Sequence, residues 1–304
     1  MAVSIAARLT IILILLSLQG AYSTTFTILN KCRYPVWPGL LSGAGTPPLS
    51  TTGFVLQPGE SSSLLIPPSW SGRIWGRTFC TQDATGKFSC LSGDCGSSTI
   101  ECSGSGAVPP ATLAEFTLNG AGGLDFFDVS LVDGYNLPIM VAPQGGNGGG
   151  NCSATGCLVE LNSACPTELK VVDDGENVAC KSACNAFGNP EYCCSGAYAT
   201  PATCKPTSYS EFFKNACPRA YSYAYDDSTS TFTCAGADYL ITFCPAPSTS
   251  LKSSSNKDQP KAVSVDSSTG FRGVSPSYLL LAFAILATTR TFWQALLTMP
   301  NCRQ

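Results

Sequence analysis

Histidine is absent from all 304 residues. That gap removes Ser-His and Cys-His nucleophile pairs, histidine-ligated metals and the common neutral-pH base. Neither a metal nor a cofactor is expected, and any chemistry must rest on carboxylates with arginine in support. Charge is scarce as well, at 12% Asp, Glu, Lys and Arg. It is also one-sided, with 10 Lys and Arg against 18 Asp and Glu from Thr24 to Cys244, a net charge of −8. An acidic module repels phosphate backbones and anionic lipid, which argues against nucleic acid and membrane-surface partners. No unbroken apolar run reaches the ~20 residues of a helical membrane span. Cysteine, by contrast, is abundant. Sixteen lie between Cys32 and Cys244, and a seventeenth, Cys302, stands alone in the last four residues. An even set behind an apolar leader points to a disulfide framework made in an oxidising compartment.

Both ends read as processing signals. Residues 1–23 carry Arg8, the apolar run Leu9 to Leu18, and Ala21 and Ser23 at the −3 and −1 positions of a cleavage site, so the mature chain is expected to start at Thr24. Residues 246–277 form a Ser/Pro-rich linker: Pro245 to Ser277 holds ten serines, four prolines and one aromatic, too little to build a core. Residues 278–304 form a hydrophobic tail. Small residues, a polar spacer and such a tail are the parts of a glycosylphosphatidylinositol signal, with Ser267 or Ser268 as attachment site. A tilted span crossing Arg290 and a merely vestigial tail are the alternatives. A cleaved tail would carry Cys302 away and account for the odd cysteine. Asn151-Cys152-Ser153 is the single glycosylation sequon, weakened by the cysteine within it.

Between the ends lie about 220 residues, enough to bury a sizeable core. Phe26 to Leu29, Ser63 to Ile66, Arg73 to Arg77, Leu113 to Leu118, Asp125 to Leu131, Thr231 to Cys234 and Tyr239 to Phe243 all read as strands. Alternation puts Arg73, Trp75 and Arg77 on one face and Ile74 on the other, and separates Ala114, Phe116 and Leu118 from Glu115 and Thr117. The stretch Cys152 to Cys217 differs, holding nine of the sixteen cysteines and short helical patterns. Ser208-Tyr209-Ser210-Glu211 fits a capping box, with Phe212, Phe213 and Ala216 as the apolar face and Pro218 as the stop. This predicts a disulfide-stapled lobe near Cys152–Ala220, carried on a sandwich running from Thr24 to about Pro143 and rejoined by Tyr221 to Pro245. The glycine-rich run Ala142 to Gly150 is expected to be a lobe connector, not a phosphate cradle.

Sixteen cysteines allow roughly two million pairings, so spacing alone fixes none of them. Gly76-Arg-Thr-Phe-Cys80 and Cys90-Leu-Ser-Gly-Asp94-Cys95-Gly, however, resemble the signature of the thaumatin-like proteins. The likeness runs from Thr24 to Pro245 through Thr112-Leu-Ala-Glu-Phe116, Leu124 to Gly134, Glu191-Tyr-Cys-Cys194, Cys217 to Tyr223 and Ser230 to Cys234. It implies a mainly β fold: a thaumatin-like β-sandwich core, a disulfide-rich loop domain and a small helical stapled lobe. It also implies the bridges Cys32–Cys244, Cys80–Cys90, Cys95–Cys102, Cys152–Cys234, Cys157–Cys217, Cys165–Cys180, Cys184–Cys193 and Cys194–Cys204.

The resemblance further implies a charged cleft made by Arg73, Glu115, Asp128, Asp133 and Asp227. Asp128 and Asp133 differ in strand parity, so they converge only if the chain turns between them. Paired carboxylates are what glycoside hydrolysis requires, and Glu115 with Asp133 is the candidate pair, Arg73 keeping neighbouring carboxylates ionised. One departure from the family pattern is Arg219, where Cys-Pro-Asp-Ala is common. The expected role is a monomeric, pathogenesis-related defence protein, extracellular and tethered to the outer face of the plasma membrane. Its cleft would bind β-1,3-glucan or another wall polysaccharide with antifungal effect. A weak endo-β-1,3-glucanase and a non-catalytic wall or receptor-side interaction protein are the alternatives.

Overall fold

The computed structural model describes residues 23–246 other than Asn147. The leader, the linker, Ser267, Ser268, the hydrophobic tail and Cys302 lie outside the described residues. Strands in chain order are β1 (Thr24–Asn30), β2 (Trp37–Ser42), β3 (Ser61–Ile66), β4 (Ser71–Gln82), β5 (Phe88–Ser92), β6 (Leu113–Thr117) and β7 (Asp125–Ser130). They continue with β8 (Ile139–Gly145), β9 (Thr155–Cys157), β10 (Lys170–Asp173), β11 (Glu176–Cys180), β12 (Phe232–Cys234) and β13 (Ala237–Phe243). The helices are α1 (Ala183–Phe187), α2 (Pro190–Cys193), α3 (Ser208–Ala216) and α4 (Asp227–Ser230). One sheet runs β3-β1-β13-β8-β9; the facing one runs β12-β7-β6-β4-β2, with β5 added to β4. Only antiparallel pairing joins these strands apart from β1 and β13, which run parallel.

Period-2 alternation explains the core. Phe26 and Ile28 of β1, Tyr239 and Ile241 of β13, Phe116 of β6, and Phe127 and Val129 of β7 all turn inward and are buried. Phe116 stacks between the sheets, 4.4 Å from the ring of Phe26 and 5.3 Å from that of Tyr239. The Tyr239 hydroxyl, deep in this layer, donates to Asp125 Oδ2 at 2.8 Å, so its polar end is satisfied. A smaller core of Trp75, Cys95, Cys102, Ala111 and Leu113 lies on the opposite face of the second sheet, under the disulfide loop. There Trp75 Nε1 donates to Gly93 O at 2.7 Å. Gly39 faces the same ring, and a Cβ at that position would sit 2.5 Å from it.

Arg73, Trp75 and Arg77 share the outer face of β4, yet their surroundings differ completely. Arg77 is fully buried and donates to the carbonyls of Trp37, Pro38 and Ile100. Burial pulls its pKa down to about 10, against the opposing pull of Asp94 and Glu101. Arg73, four residues earlier, lies beyond the loop domain and is 42% exposed.

Eight disulfides close the fold, pairing Cys32–Cys244, Cys80–Cys90, Cys95–Cys102, Cys152–Cys234, Cys157–Cys217, Cys165–Cys180, Cys184–Cys193 and Cys194–Cys204. Three local readings need correction. The stapled segment is not wholly separate, because its β9 pairs with β8 and forms an edge of the first sheet. It also contains the hairpin β10–β11, turned at Asp174 and Gly175, both at positive φ. The glycine-rich run begins as strand: Ala142 to Gly145 belong to β8 and pair with β13. Finally, the capping box of α3 uses Thr207 and Ser210 rather than Ser208 and Glu211. Thr207 is extended while Ser208 is already helical, so the cap falls one residue earlier.

Candidate functional site: an acidic cleft

The outer face of the second sheet, where the loop domain does not cover it, presents a row of charge. Register places Arg73 of β4 opposite Glu115 of β6, and Glu115 opposite Asp128 of β7. Three neighbouring strands thus contribute one charged side chain each, on one face and in one line. Arg73 Nε lies 3.7 Å from Glu115 Oε1. The flanking row holds Thr117 opposite Phe126, two residues before Asp128 and on the same face.

Asp133 reaches this row because β7 stops at Ser130. The amide of Gly134 donates to Leu131 O at 2.9 Å, closing a turn that cancels the parity difference. Gly134 holds φ +88°, and a Cβ there would stand 2.7 Å from Cys180 O and from Pro110. The turn therefore needs glycine on both counts.

Asp227 comes from the lobe side, as the first residue of α4. Its neighbour Asp226 is buried and pairs with Lys214 of α3, Nζ to Oδ2 2.8 Å. Lys214 also donates to Ala220 O at 3.1 Å and Ser230 Oγ at 2.9 Å, which ties α3 to both ends of the segment carrying Asp227. Tyr221 Oη donates to Asp227 Oδ1 at 2.8 Å, and Leu131 N donates to Tyr221 O at 2.8 Å, anchoring that tyrosine to the end of β7.

Arg73, Glu115, Asp128, Asp133 and Asp227 line one cleft of about 310 Å³, together with Tyr221. A second hollow of about 460 Å³, with Ser42, Thr117 and Phe126 in its wall, shares Arg73, Glu115 and Asp128 with the first. The two lie on either side of the charged row and share it as a common wall. Tyr221 and Phe126 were not among the residues singled out from sequence. Phe126 could have been found, since parity alone puts it on the face of Asp128. Tyr221 carries no such signal, because its place depends on the lobe's return to β7.

The electrostatics follow from one cation among four acids. Burial raises the pKa of Glu115; Arg73 opposes and Asp133 adds to the rise. Asp128 is pushed well above the ordinary aspartate range, by burial first, then by Glu115 and Asp227, with Arg73 opposing. Its Oδ1 is enclosed and has no hydrogen-bond partner. The Tyr221 hydroxyl is also pushed up, chiefly by burial, with the Thr231 bond opposing and the Asp227 bond adding.

Other candidates sit elsewhere. A hollow of about 620 Å³ is walled by Asp125 and Asp238, but Asp125 is engaged by Tyr239 and by the amide of Asn119, and Asp238 by the amide of Thr25. Arg219 lies outside the residues lining the cleft and stacks on Phe232, 4.4 Å from the ring centre. Asn151 of the sequon is exposed, and the cysteine beside it is bonded to Cys234. Among the described residues no group of three or more Cys, Asp or Glu is arranged to hold a metal, and no helix is long and apolar enough to cross a membrane.

A family model described as the thaumatin family matches residues 30–245. The chain is 58% identical over 237 residues to thaumatin-like protein 1 of Arabidopsis thaliana, covering 76% of this chain and 90% of that one. It is 54% identical over 239 residues to a glucan endo-1,3-beta-glucosidase of Prunus avium, covering 78% and 97%. It is 57% identical over 223 residues to pathogenesis-related protein 5 of Arabidopsis thaliana, covering 73% and 91%.

Proposed function

The chain belongs to the thaumatin family, and from that premise we propose that it is a defence protein whose cleft binds β-1,3-glucan-like wall polysaccharide. The observation that carries this reading is the aligned row Arg73–Glu115–Asp128 at the junction of two hollows. Two hollows side by side along one row suit a polymer better than a single closed pocket does. β-1,3-glucan is uncharged and rich in hydroxyls, which donate to carboxylates and accept from a guanidinium. Phe126 gives the second hollow an aromatic wall on which the apolar face of a sugar ring can rest. The acid surplus repels polyanions, which selects a neutral chain.

The second reading is hydrolysis by Glu115 and Asp133. It is favoured by the raised pKa of Glu115, to which Asp133 contributes, and by the glucosidase name of one relative. Glu115 would donate the proton and Asp133 act as the ionised partner. Eight disulfides and the leader support export. We extend the proposal to a monomer at the cell surface or wall, with a lipid anchor at Ser267 or Ser268 and a glycan at Asn151.

A pull-down on insoluble β-1,3-glucan followed by a reducing-sugar assay separates the readings. Binding without release is expected. Release that falls 10²–10⁴-fold in Glu115→Gln, about what a lost general acid costs, would establish the hydrolytic reading instead. Neither binding nor release would leave the fold as an interaction surface for another partner, and the proposal would fail.

A further inference from the structure

We propose that Asp128 is the neutral acid of the cleft and serves a bound saccharide as a hydrogen-bond donor, while the acids around it accept. This rests on the saccharide reading above and goes further, because it divides the cleft's carboxyls by protonation state.

The geometry sets Asp128 apart. It ends the charged row, faces Glu115 across the β6–β7 ladder and lines both hollows. Glu115 has the guanidinium of Arg73 beside it, and Asp227 accepts from the Tyr221 hydroxyl. Asp128 has neither a cation in salt-bridge contact nor a donor, and its Oδ1 is closed off from solvent. The groups that face it from each packed element are Arg73 on β4, Glu115 on β6, Asp133 on the turn, and Tyr221 and Asp227 from the lobe side. Three of those five are acids, one is a neutral hydroxyl already donating to Asp227, and one is the arginine, nearer to Glu115.

An ionised carboxylate oxygen enclosed without a donor is among the costliest groups a protein can bury. Four carboxylates around one guanidinium hold at least one proton most cheaply where the ionised form is least served, and that place is Asp128. The neutral form leaves Oδ1 as an undemanding carbonyl-type acceptor. It leaves the proton to Oδ2, the oxygen that is not among the enclosed, unpartnered atoms. A polyol supplies an acceptor for it. Raising the pH through the Asp128 midpoint then removes a donor and adds a charge, so affinity for a neutral glucan falls. The pattern of donors (Arg73, Asp128) and acceptors (Glu115, Asp227) would also set which hydroxyls of a sugar ring can register with the row.

The test uses the full secreted protein labelled with ¹³C at Asp and Glu carboxyls, titrated from pH 3 to 8 by NMR. Binding of a soluble β-1,3-glucan oligosaccharide, laminarihexaose, is measured across the same range. Asp128 is expected to titrate last of the cleft acids, and wild-type affinity to fall at least tenfold as pH rises through its midpoint. Asp128→Asn, which keeps a donor and cannot ionise, should remove that fall, and Asp128→Leu should weaken binding at every pH. Oligosaccharide binding together with an Asp128 midpoint in the ordinary aspartate range of about 4, or with the fall intact in Asp128→Asn, would overturn the donor assignment alone. No binding at any pH would overturn the saccharide reading, and the donor role with it.

Discussion

Burial raises the pKa of Asp128 and Glu115 in the folded chain, so folding takes up protons here that the unfolded chain has released. Native protein binds more protons than unfolded protein between the ordinary carboxylate range and the raised midpoints. Stability contributed by these groups is therefore fully present at acid pH and declines as pH rises through that window. Asp128→Asn removes the largest part of the effect. It should raise the melting temperature at pH 7 by a few degrees, at about 2–4 °C per kcal/mol for a domain of this size, and change little at pH 3. Melting curves at the two pH values check the sign; an equal shift at both would mean that ionisation is not the cause. The family motifs made all five charged residues legible, but not this hierarchy among them. What singles out Asp128 is a register, Arg73–Glu115–Asp128, and an oxygen with no donor, and neither exists until three strands are paired.

The lobe positions its share of the cleft through elements of a few residues. Lys214 of α3 holds Asp226 at the head of α4, and Asp227 follows directly. Lys214→Met would leave the buried Asp226 without its cation, with only the neutral donors of Ser222 and Thr229 on its carboxylate. The expected cost is about 3–5 kcal/mol in denaturant unfolding, with weaker glucan binding because Asp227 loses its frame; unaltered stability would show the pair to be incidental. The cap of α3 gives a finer test. Thr207→Ala should cost about 1 kcal/mol and Ser208→Ala only a few tenths, since Thr207 Oγ1 accepts from Ser210 N and Ser210 Oγ accepts from Thr207 N. Only Ser208-x-x-Glu211 satisfies the pattern in sequence; the extended backbone of Thr207 moves the cap one residue earlier, where Ser210 stands in for the acid. Long alternating strands such as β1, β6 and β13 were legible because one face is wholly core. The three-residue β9 and the hairpin β10–β11 were not, since neither Thr155-Gly-Cys157 nor Lys170-Val-Val-Asp173 alternates apolar with polar residues.

At the scale of the molecule, one face of one sheet is divided between two uses. Toward Arg77 the disulfide loop covers it and turns an arginine into a buried rivet; toward Arg73 it stays open and becomes the wall shared by the two hollows. Cys32–Cys244 ties the end of β1 to the end of β13, whose parallel pairing brings two chain segments 212 residues apart side by side. The order of cysteines and the motifs between them made this architecture readable, while the meeting of Asp133 and Asp227 at the row depends on a turn and a lobe that no local pattern describes. The central claim is that glucan lies along the charged row. The most direct measurement is NMR mapping of amide and carboxyl shifts on titration with laminarihexaose at acid pH. Perturbations should concentrate at Arg73, Glu115, Phe126, Asp128, Tyr221 and Asp227. Shifts confined to the β1–β3 side of the sandwich, or none at saturating oligosaccharide, would contradict the account.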